Sequence, residues 1–401
     1  MTTGRSATAD PLRIALVCPY SLSRPGGVQG QVIGLARVLA TRGHAATVFA
    51  PLDRVADAPD GIDLVATGHS TALPANGSVA PVTVSVPAVV RARRTLVSGG
   101  FDVVHVHEPF APGLPYGLLV GGHLPPLVAT FHRSGGSGFY TVLAPLIRHL
   151  STRFAVRCAV SEAARATVEA ALGAPCLIGF NGVEVDRYRG AEPWPSDRPT
   201  VLFLGRHEER KGLAVLLEAF SGLPDGPAAE PVPGRTGRPV LWIGGDGPQT
   251  GDLRRRFPAS PDIEWLGILS ESEKDRRLVG ADVLCAPSLG GESFGMVLLE
   301  AMAAGTVVVA SDIDGYRDAA GGCAVLAPPG DARLLAAAMT GALTGELGIA
   351  TPPGAGDASG PREGRRRWLA EASDRASAWS MESLAGWYEG HYREAMVRPP
   401  G

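Results

Sequence analysis

The sequence predicts an α/β protein built from two Rossmann-like, doubly wound halves facing a central cleft. Three observations predict it. Short apolar runs of strand length alternate with helical patterns along the chain, and that series starts twice, near residue 12 and again near residue 200. Polar, Gly-bearing segments follow several strand ends, the edge at which open α/β sheets bind ligands.

The first series opens with the strand pattern LRIALVC (12–18). Gly26 and Gly27 follow in a loop, then a helical pattern from Val28 to Thr41, Gly43 as its stop, and the strand ATVFA (46–50). A strand, helix, strand unit implies a parallel sheet. FDVVHVH (101–107), LVATFH (127–132) and RCAV (157–160) extend it. Residues 87–98 read as an amphipathic helix with Val89, Val90, Ala92, Leu96 and Val97 on one face. Arg91 and Arg94 lie opposite, and Arg93 interrupts the apolar face. Such a helix either packs on its own sheet or lies on an anionic membrane.

The polar stretch RYRGAEPWPSDRP (187–199) reads as the join, giving domains 11–190 and 196–380. TVLFLG (200–205), a helix near 212–220, VLWIGG (240–245), IEWLG (263–267), VLCAP (283–287) and VVVAS (307–311) form the second series. Segments 222–239 and 341–364, rich in Gly and Pro, read as loop insertions. The last helix, 381–397, carries Trp387, Tyr388, Tyr392 and Met396 at helical spacing, the pattern of a core-facing element.

The 401 residues are 45% hydrophobic and carry a formal charge of -3. That composition excludes disorder and bulk electrostatic binding of nucleic acid. Five scattered cysteines form no C-x2-C pair, so neither a zinc site nor a disulfide framework is expected, and the setting is a reducing cytosol. The polar N-terminus lacks a signal-peptide pattern. The long apolar stretch 110–131 is broken by Pro112, Pro115, Pro125 and Pro126 and holds His123, so any membrane contact is expected to be peripheral.

The chemistry concentrates in a few stretches. In ESFGMVLLEAMAAG (292–305), Glu292 precedes a helix start and Glu300 lies one to two turns in, leaning back towards it. Carboxylates accept bidentate bonds from vicinal sugar hydroxyls, and a helix N-terminus suits phosphate. In FLGRHEERKG (203–212), Arg206 and Lys211 leave a strand end together, as two cations able to neutralise a leaving pyrophosphate; Arg210 reads as a surface residue. Gly27 permits close backbone approach at a helix start, and Gly245 in GGDGP either lines a nucleotide or only turns the chain. His132 ends a strand beside Gly-rich chain. His105 and His107 read as structural histidines, with Glu108 as a nearby hydrogen-bond partner. Asp312 and Asp314 have the spacing of a metal-binding pair, but two cations already serve a diphosphate, so no essential bound metal is expected.

Together these stretches resemble the retaining GT-B glycosyltransferases of the Glu-x7-Glu family (glycosyltransferase family 4). The likeness is to its actinobacterial phosphatidylinositol mannosyltransferases. It is carried by CPYSLSRPGGVQ (18–29), NGSVA (76–80), FDVVHVHEPFAP (101–112), VATFH (128–132), NGVEV (181–185), FLGRHEERKG and CAPSLGGESFGMVLLEAMAAGTVVVASD (285–312). The resemblance implies a nucleotide-sugar donor, GDP-mannose, and an inositol phospholipid acceptor at the inner face of the plasma membrane. It implies that Gly27, Arg206 and Lys211 meet the donor phosphates, that Glu292 holds the sugar and Glu300 the ribose, and that His132 lies beside the anomeric carbon. Tyr20, Asn76 and Ser78 would meet the acceptor, and the last helix would return to the first domain.

The chain departs from that pattern where the acceptor would bind. Ala75 replaces the family's Tyr before NGS, Pro81 its Arg after SVA, and Arg133 its Thr after the VATFH histidine. Arg133 is a candidate to bind the anion that an arginine in place of Pro81 would have met. Three alternatives stand beside this reading. One is transfer of another sugar to a soluble or different lipid acceptor. Another is a non-catalytic nucleotide-sugar binding module, against which His132, Arg206, Lys211, Glu292 and Glu300 are all present. The third, a dinucleotide oxidoreductase, needs a G-x-G-x-x-G that residues 19–31 lack.

Overall fold

The computed structural model describes residues 10–24, 26–75, 78–120, 124–133, 144–223, 235–292, 294–347 and 361–397. The chain forms two compact units, Met1–Gly182 with Met381–Gly401, and Val183–Ser380.

In the first unit β1 (Arg13–Val17), α1 (Gly27–Thr41), β2 (Ala45–Ala50) and β3 (Asp63–Ala66) come first. A hairpin of β4 (Thr71–Ala75) and β5 (Ser78–Val82) follows, then α2 (Val86–Ser98) and β6 (Val103–His107). Next are α3 (Leu114–Leu119), β7 (Leu127–Phe131), α4 (Ala144–Ser151), β8 (Phe154–Ala159), α5 (Glu162–Leu172) and β9 (Leu177–Ile178). The sheet runs β3-β2-β1-β6-β7-β8-β9, with every pair parallel. β6 and β7 at its centre are buried along their whole length because both faces are covered. Along β1 the pleat sends Ile14 and Leu16 to one core layer, Ala15 and Val17 to the other.

α2 turns a different face inward from the one its valines suggest. Ala88, Ala92 and Leu96 are buried, whereas Val86, Val90 and Val97 are 70%, 41% and 46% exposed. Small residues decide this. A Cβ on Gly68 would stand 3.0 Å from the Ala88 methyl, and one on Gly117 of α3 would stand 2.3 Å from a Val89 methyl. The helix therefore sits deep on its alanines, and Val90 and Val97 are left outside.

The second unit begins with α6 (Val185–Arg189) and β10 (Thr200–Leu204). It continues through α7 (Leu213–Ser221), β11 (Val240–Gly244), α8 (Thr250–Arg256), β12 (Ile263–Gly267), α9 (Glu271–Gly280) and β13 (Val283–Ala286). It closes with α10 (Met296–Ala303), β14 (Val307–Ser311), α11 (Asp314–Ala320), β15 (Val325–Ala327), α12 (Ala332–Thr344) and α13 (Pro361–Ala378). The strand order is β12-β11-β10-β13-β14-β15, again parallel. Side-chain caps start several helices: Ser161 on α5, Ser270 on α9 and Asp331 on α12 each accept a backbone N–H of the first turn.

The division falls at Gly182/Val183, earlier than 190, and the stretch 187–199 is packed chain rather than a loose joint. Arg187 bonds Asp275 of α9 at 3.0 Å, the Trp194 N–H donates to the Arg276 carbonyl at 2.9 Å, and the Arg277 guanidinium lies 4.0 Å from the Trp194 ring centroid. Val183 donates to the Trp379 carbonyl at 2.9 Å and bridges Ser380, so the two strands of chain that cross between units run side by side. The insertion expected at 341–364 is shorter among the described residues, since α12 runs to Thr344 and α13 starts at Pro361. At the end of the 222–239 segment, Arg235 is anchored on Asp282 at 2.7 Å.

The final helix, α14 (Met381–Val397), packs with the first unit. Leu384, Ala385, Tyr388 and Tyr392 join the layer that holds Leu35 and Leu39 of α1. Met396, read as core-facing, is 41% exposed. Glu389 pairs with Arg42 and with His44, the latter at 3.0 Å.

Candidate functional site

In the second unit the strand order reverses between β10 and β13, where loops splay apart beyond the carboxyl ends of the strands. The loop after β10 carries Arg206 and Lys211, and the loop after β13 carries Glu292. The structure brings them together: Lys211 Nζ lies 2.6 Å from Glu292 and Arg210 Nη1 lies 2.7 Å from the same oxygen. Arg210 is at the surface, as expected, and is also a member of the cluster. Its Nε lies 3.1 Å from Glu208, which also receives Arg206 at 3.1 Å. Three cations against two carboxylates leave an excess of positive charge at a strand-end crevice, which suits a diphosphate.

Glycines make this convergence possible. Gly212 has φ +68, and a Cβ there would stand 1.9 Å from the Pro287 carbonyl oxygen, so only glycine lets the two loops touch. Gly245, with φ +121, has its Cβ position 1.9 Å from the Gly205 oxygen. It therefore closes the end of β11 onto the end of β10, a backbone role at the crevice. Glu300 lies on α10 and meets Lys274 of α9 at 3.1 Å. Asp312 and Asp314 both pair with Arg317, at 2.5 and 2.7 Å. Among the described residues no group of three or more His, Cys, Asp or Glu side chains is placed to hold a metal ion.

In the first unit the order reverses between β1 and β6. Tyr20 bridges Val82 of the hairpin, and the Ser21 N–H donates to the Pro81 carbonyl at 2.8 Å. Pro81 thus ties the Tyr20 loop to β5 through its backbone. Asp53 fastens the same loop, accepting from the Ser21 hydroxyl at 2.9 Å and from the Ser70 N–H at 2.6 Å. Burial works against its charge, but the Ser70 and Ser21 bonds and the nearby Arg24 hold its carboxyl below the usual range. Ser78 is paired with Ala75 in the hairpin ladder; Asn76 lies outside the described residues. Gly27 opens α1, and a Cβ there would meet nothing within 4 Å.

His132 follows β7 directly and stands at one end of a row of three histidines, with His107 in the middle. Its Nε2 lies 2.9 Å from His107 Nδ1, and the rings stack at 5.2 Å. Burial pushes the His132 imidazole down to about 4, and the nearby buried Asn181 side chain recovers part of the shift. His105, one pleat away, bonds Tyr392 at 2.8 Å and Thr130 at 2.7 Å, and Thr130 bonds Tyr388 at 2.7 Å. Burial drives His105 to about 3 and His107 well below its ordinary value, so both rings stay neutral. Glu108 is not the partner of these rings: its carboxylate accepts the His132 backbone N–H at 2.6 Å. Burial raises its pKa, against bonds from the His132 and Arg133 amides and the charge of Arg133. It is also the one non-glycine at positive φ (46°) among the described residues, a strained conformation of the kind that gathers at functional sites.

Sequence reasoning missed Glu208, Lys274, Asp53 and Asn181. Glu208 carried a signal in the alternating R-H-E-E-R-K run. Lys274 and Asp53 carried none, since each meets its partner only through the fold.

Two open, doubly wound units with a basic and acidic cluster at a strand-order reversal define the class: a GT-B glycosyltransferase. Residues 198–344 match the family described as Glycosyl transferases group 1, and residues 25–187 match Glycosyltransferase Family 4. The phosphatidyl-myo-inositol mannosyltransferase of Mycobacterium tuberculosis is 40% identical over 316 residues, 76% of this chain and 79% of the relative. The GDP-mannose-dependent alpha-(1-6)-phosphatidylinositol monomannoside mannosyltransferase of the same organism is 28% identical over 334 residues, 76% and 81% of the two chains. Among solved structures, Anabaena HepE in complex with UDP and glucose superposes with a TM-score of 0.68 at 16% identity, covering 95% of this chain and 99% of that one. The chain belongs to glycosyltransferase family 4 and is an enzyme of sugar transfer.

Proposed function

We propose that the chain transfers mannose from GDP-mannose to an inositol phospholipid with retention of anomeric configuration. The observation that carries the reading is the Lys211–Glu292 pair, braced by Arg210, which sets a cation for the diphosphate beside a carboxylate suited to sugar hydroxyls. The relatives' names supply the choice of donor and acceptor.

In the reaction the bond from the anomeric carbon to the diphosphate oxygen breaks, and its electron pair leaves with GDP. Arg206 and Lys211 neutralise the departing charge; Glu292 holds the sugar and Glu300 the ribose. The acceptor hydroxyl attacks the same face and passes its proton to the departing oxygen. The cations already supply the charge that a divalent ion would bring, so we propose no essential metal. Gly245 shapes the nucleotide side and Gly27 leaves room for phosphate. His132 lies at the reacting sugar, and Tyr20, Asn76, Ser78 and Arg133 meet the inositol phosphate.

No helix among the described residues is long and apolar enough to cross a membrane. Contact with the lipid falls instead to α2, whose exposed Val86, Val90 and Val97 share its outer surface with the exposed Arg91 and Arg94. The site of action is the cytoplasmic face of an anionic membrane. The departures at Ala75, Pro81 and Arg133 favour one second reading, transfer to a different or soluble acceptor. The test is a donor screen with GDP- and UDP-sugars, with and without EDTA, followed by acceptor addition with and without anionic vesicles. GDP-mannose turnover that requires vesicles containing phosphatidylinositol supports the proposal; vesicle-independent transfer to a soluble acceptor supports the second reading.

A further inference from the structure

His107 lies behind His132 with one of its nitrogens used and the other not. Its Nδ1 is 2.9 Å from His132 Nε2, and one proton must lie between the two atoms. Its Nε2 is buried and has no hydrogen-bond partner among the described residues. The ring itself is 2% exposed and rests 4.2 Å from the His105 ring, whose own two nitrogens are taken by Tyr392 and Thr130. His105 therefore cannot turn to serve it.

Two proton placements satisfy the His107–His132 bond. If His107 carries its proton on Nε2, an N–H donor is left orphaned in the interior, an arrangement native proteins almost never keep. If the proton is on Nδ1, the orphan is only a lone pair, the less costly of the two. The second placement makes His107 the donor and His132 Nε2 the acceptor. His132, neutral and accepting at Nε2, must then carry its own proton on Nδ1.

We infer that His107 is a positioning residue that locks His132 as a neutral Nδ1–H imidazole, with its Nε2 lone pair already occupied. His132 is consequently not a general base towards the acceptor hydroxyl, because neither ring nitrogen is free to take that proton. Its ring is instead a fixed wall, oriented from behind by His107. This inference rests on the reading that His132 lies at the reacting sugar, but the ring's tautomer is measurable without turnover.

The test uses the full chain labelled with 15N-histidine, whose ring nitrogens report protonation by their chemical shifts. His132→Gln identifies the His132 signals. Wild type is expected to show His132 protonated at Nδ1 and bare at Nε2, and His107→Phe, which keeps a ring but removes the donor, is expected to lose that single pattern. An Asn side-chain nitrogen sits the same number of bonds from Cα as His Nδ1, so His107→Asn should restore it. In turnover, His107→Phe should lower kcat at least tenfold with donor KM within twofold, and His107→Asn should recover most of kcat. An Nε2–H His132 in wild type, or Phe and Asn variants with equal kcat and equal His132 signals, overturns the inference. Absence of GDP-mannose turnover in wild type would count against the proposed donor alone, since the tautomer measurement stands apart from it. Should His107→Phe fail to fold, His107→Gln tests the same point, because its amide nitrogen reaches the Nε2 position and should not restore the Nδ1–H form.

Discussion

Glu292 holds two cations, and each has a separate consequence. Lys211 lies 2.6 Å away on the buried side of the cluster, while Arg210 is the more exposed partner. Lys211→Ala removes charge from where the leaving group develops it, and kcat should fall about 10²- to 10³-fold. Arg210→Ala leaves Lys211 in place and should cost much less. Steady-state rates on GDP-mannose decide between them; equal losses would mean that Arg210 also contacts donor. Arg206, Lys211 and Glu292 could be placed at one crevice from the sequence because each follows a strand whose end periodicity locates. The role of Arg210 was not legible, because a strand-end loop gives no direction to its side chains. The histidines carry a pH consequence. Folded His105 and His107 hold pKa values depressed below those of the unfolded chain, so the unfolded state binds more protons as pH falls. Stability is then lost as pH drops below about 6.5, by up to about 1.4 kcal/mol per pH unit for each ring. Urea midpoints at pH 7.5, 6.0 and 5.0 check this, and an unchanged midpoint would mean that the rings charge in place.

At the scale of elements, the sites are made by loops that only glycine can bring together. Gly212→Ala forces a Cβ onto the Pro287 carbonyl at a positive φ. The two loops must part, at a cost of about 1–3 kcal/mol for the backbone alone. The damage should extend to activity, since Lys211 is the preceding residue. Gly245→Ala has the same steric problem against Gly205. Denaturation with parallel kcat measurements separates the two effects; a Gly212→Ala enzyme of wild-type stability and rate would contradict the packing argument. The sheets were legible from apolar runs and the strand alternation. The inward face of α2 was not, because it depends on Gly68 and Gly117, which lie on other elements and admit the small face of the helix. The boundary at 182/183 was likewise hidden, since a polar, Pro-rich stretch reads as linker until Trp194 is seen between its partners.

At the scale of the molecule, α14 ties the end of the chain to the histidine cluster. Tyr392 and Tyr388 are buried and reach His105 and Thr130 with their hydroxyls. Tyr392→Phe leaves the Nδ1 of a buried imidazole without that partner and should cost about 1–3 kcal/mol in global stability. Urea unfolding measures it, and a loss below the error of the method would mean that the bond is replaced. The spacing of Tyr388 and Tyr392 announced a packed helix, but nothing in it named the histidine they meet nearly 300 residues earlier. All three scales meet in the proposal of a family 4 transferase whose second unit grips GDP-mannose and whose first unit takes an inositol lipid. Its most direct test is mass-spectrometric detection of product from purified enzyme, GDP-mannose and phosphatidylinositol vesicles, run beside Glu292→Gln. Wild type should yield a mannosylated phosphatidylinositol and the variant little or none. A product formed equally well by both, or wild-type transfer from UDP-glucose and none from GDP-mannose, would contradict it.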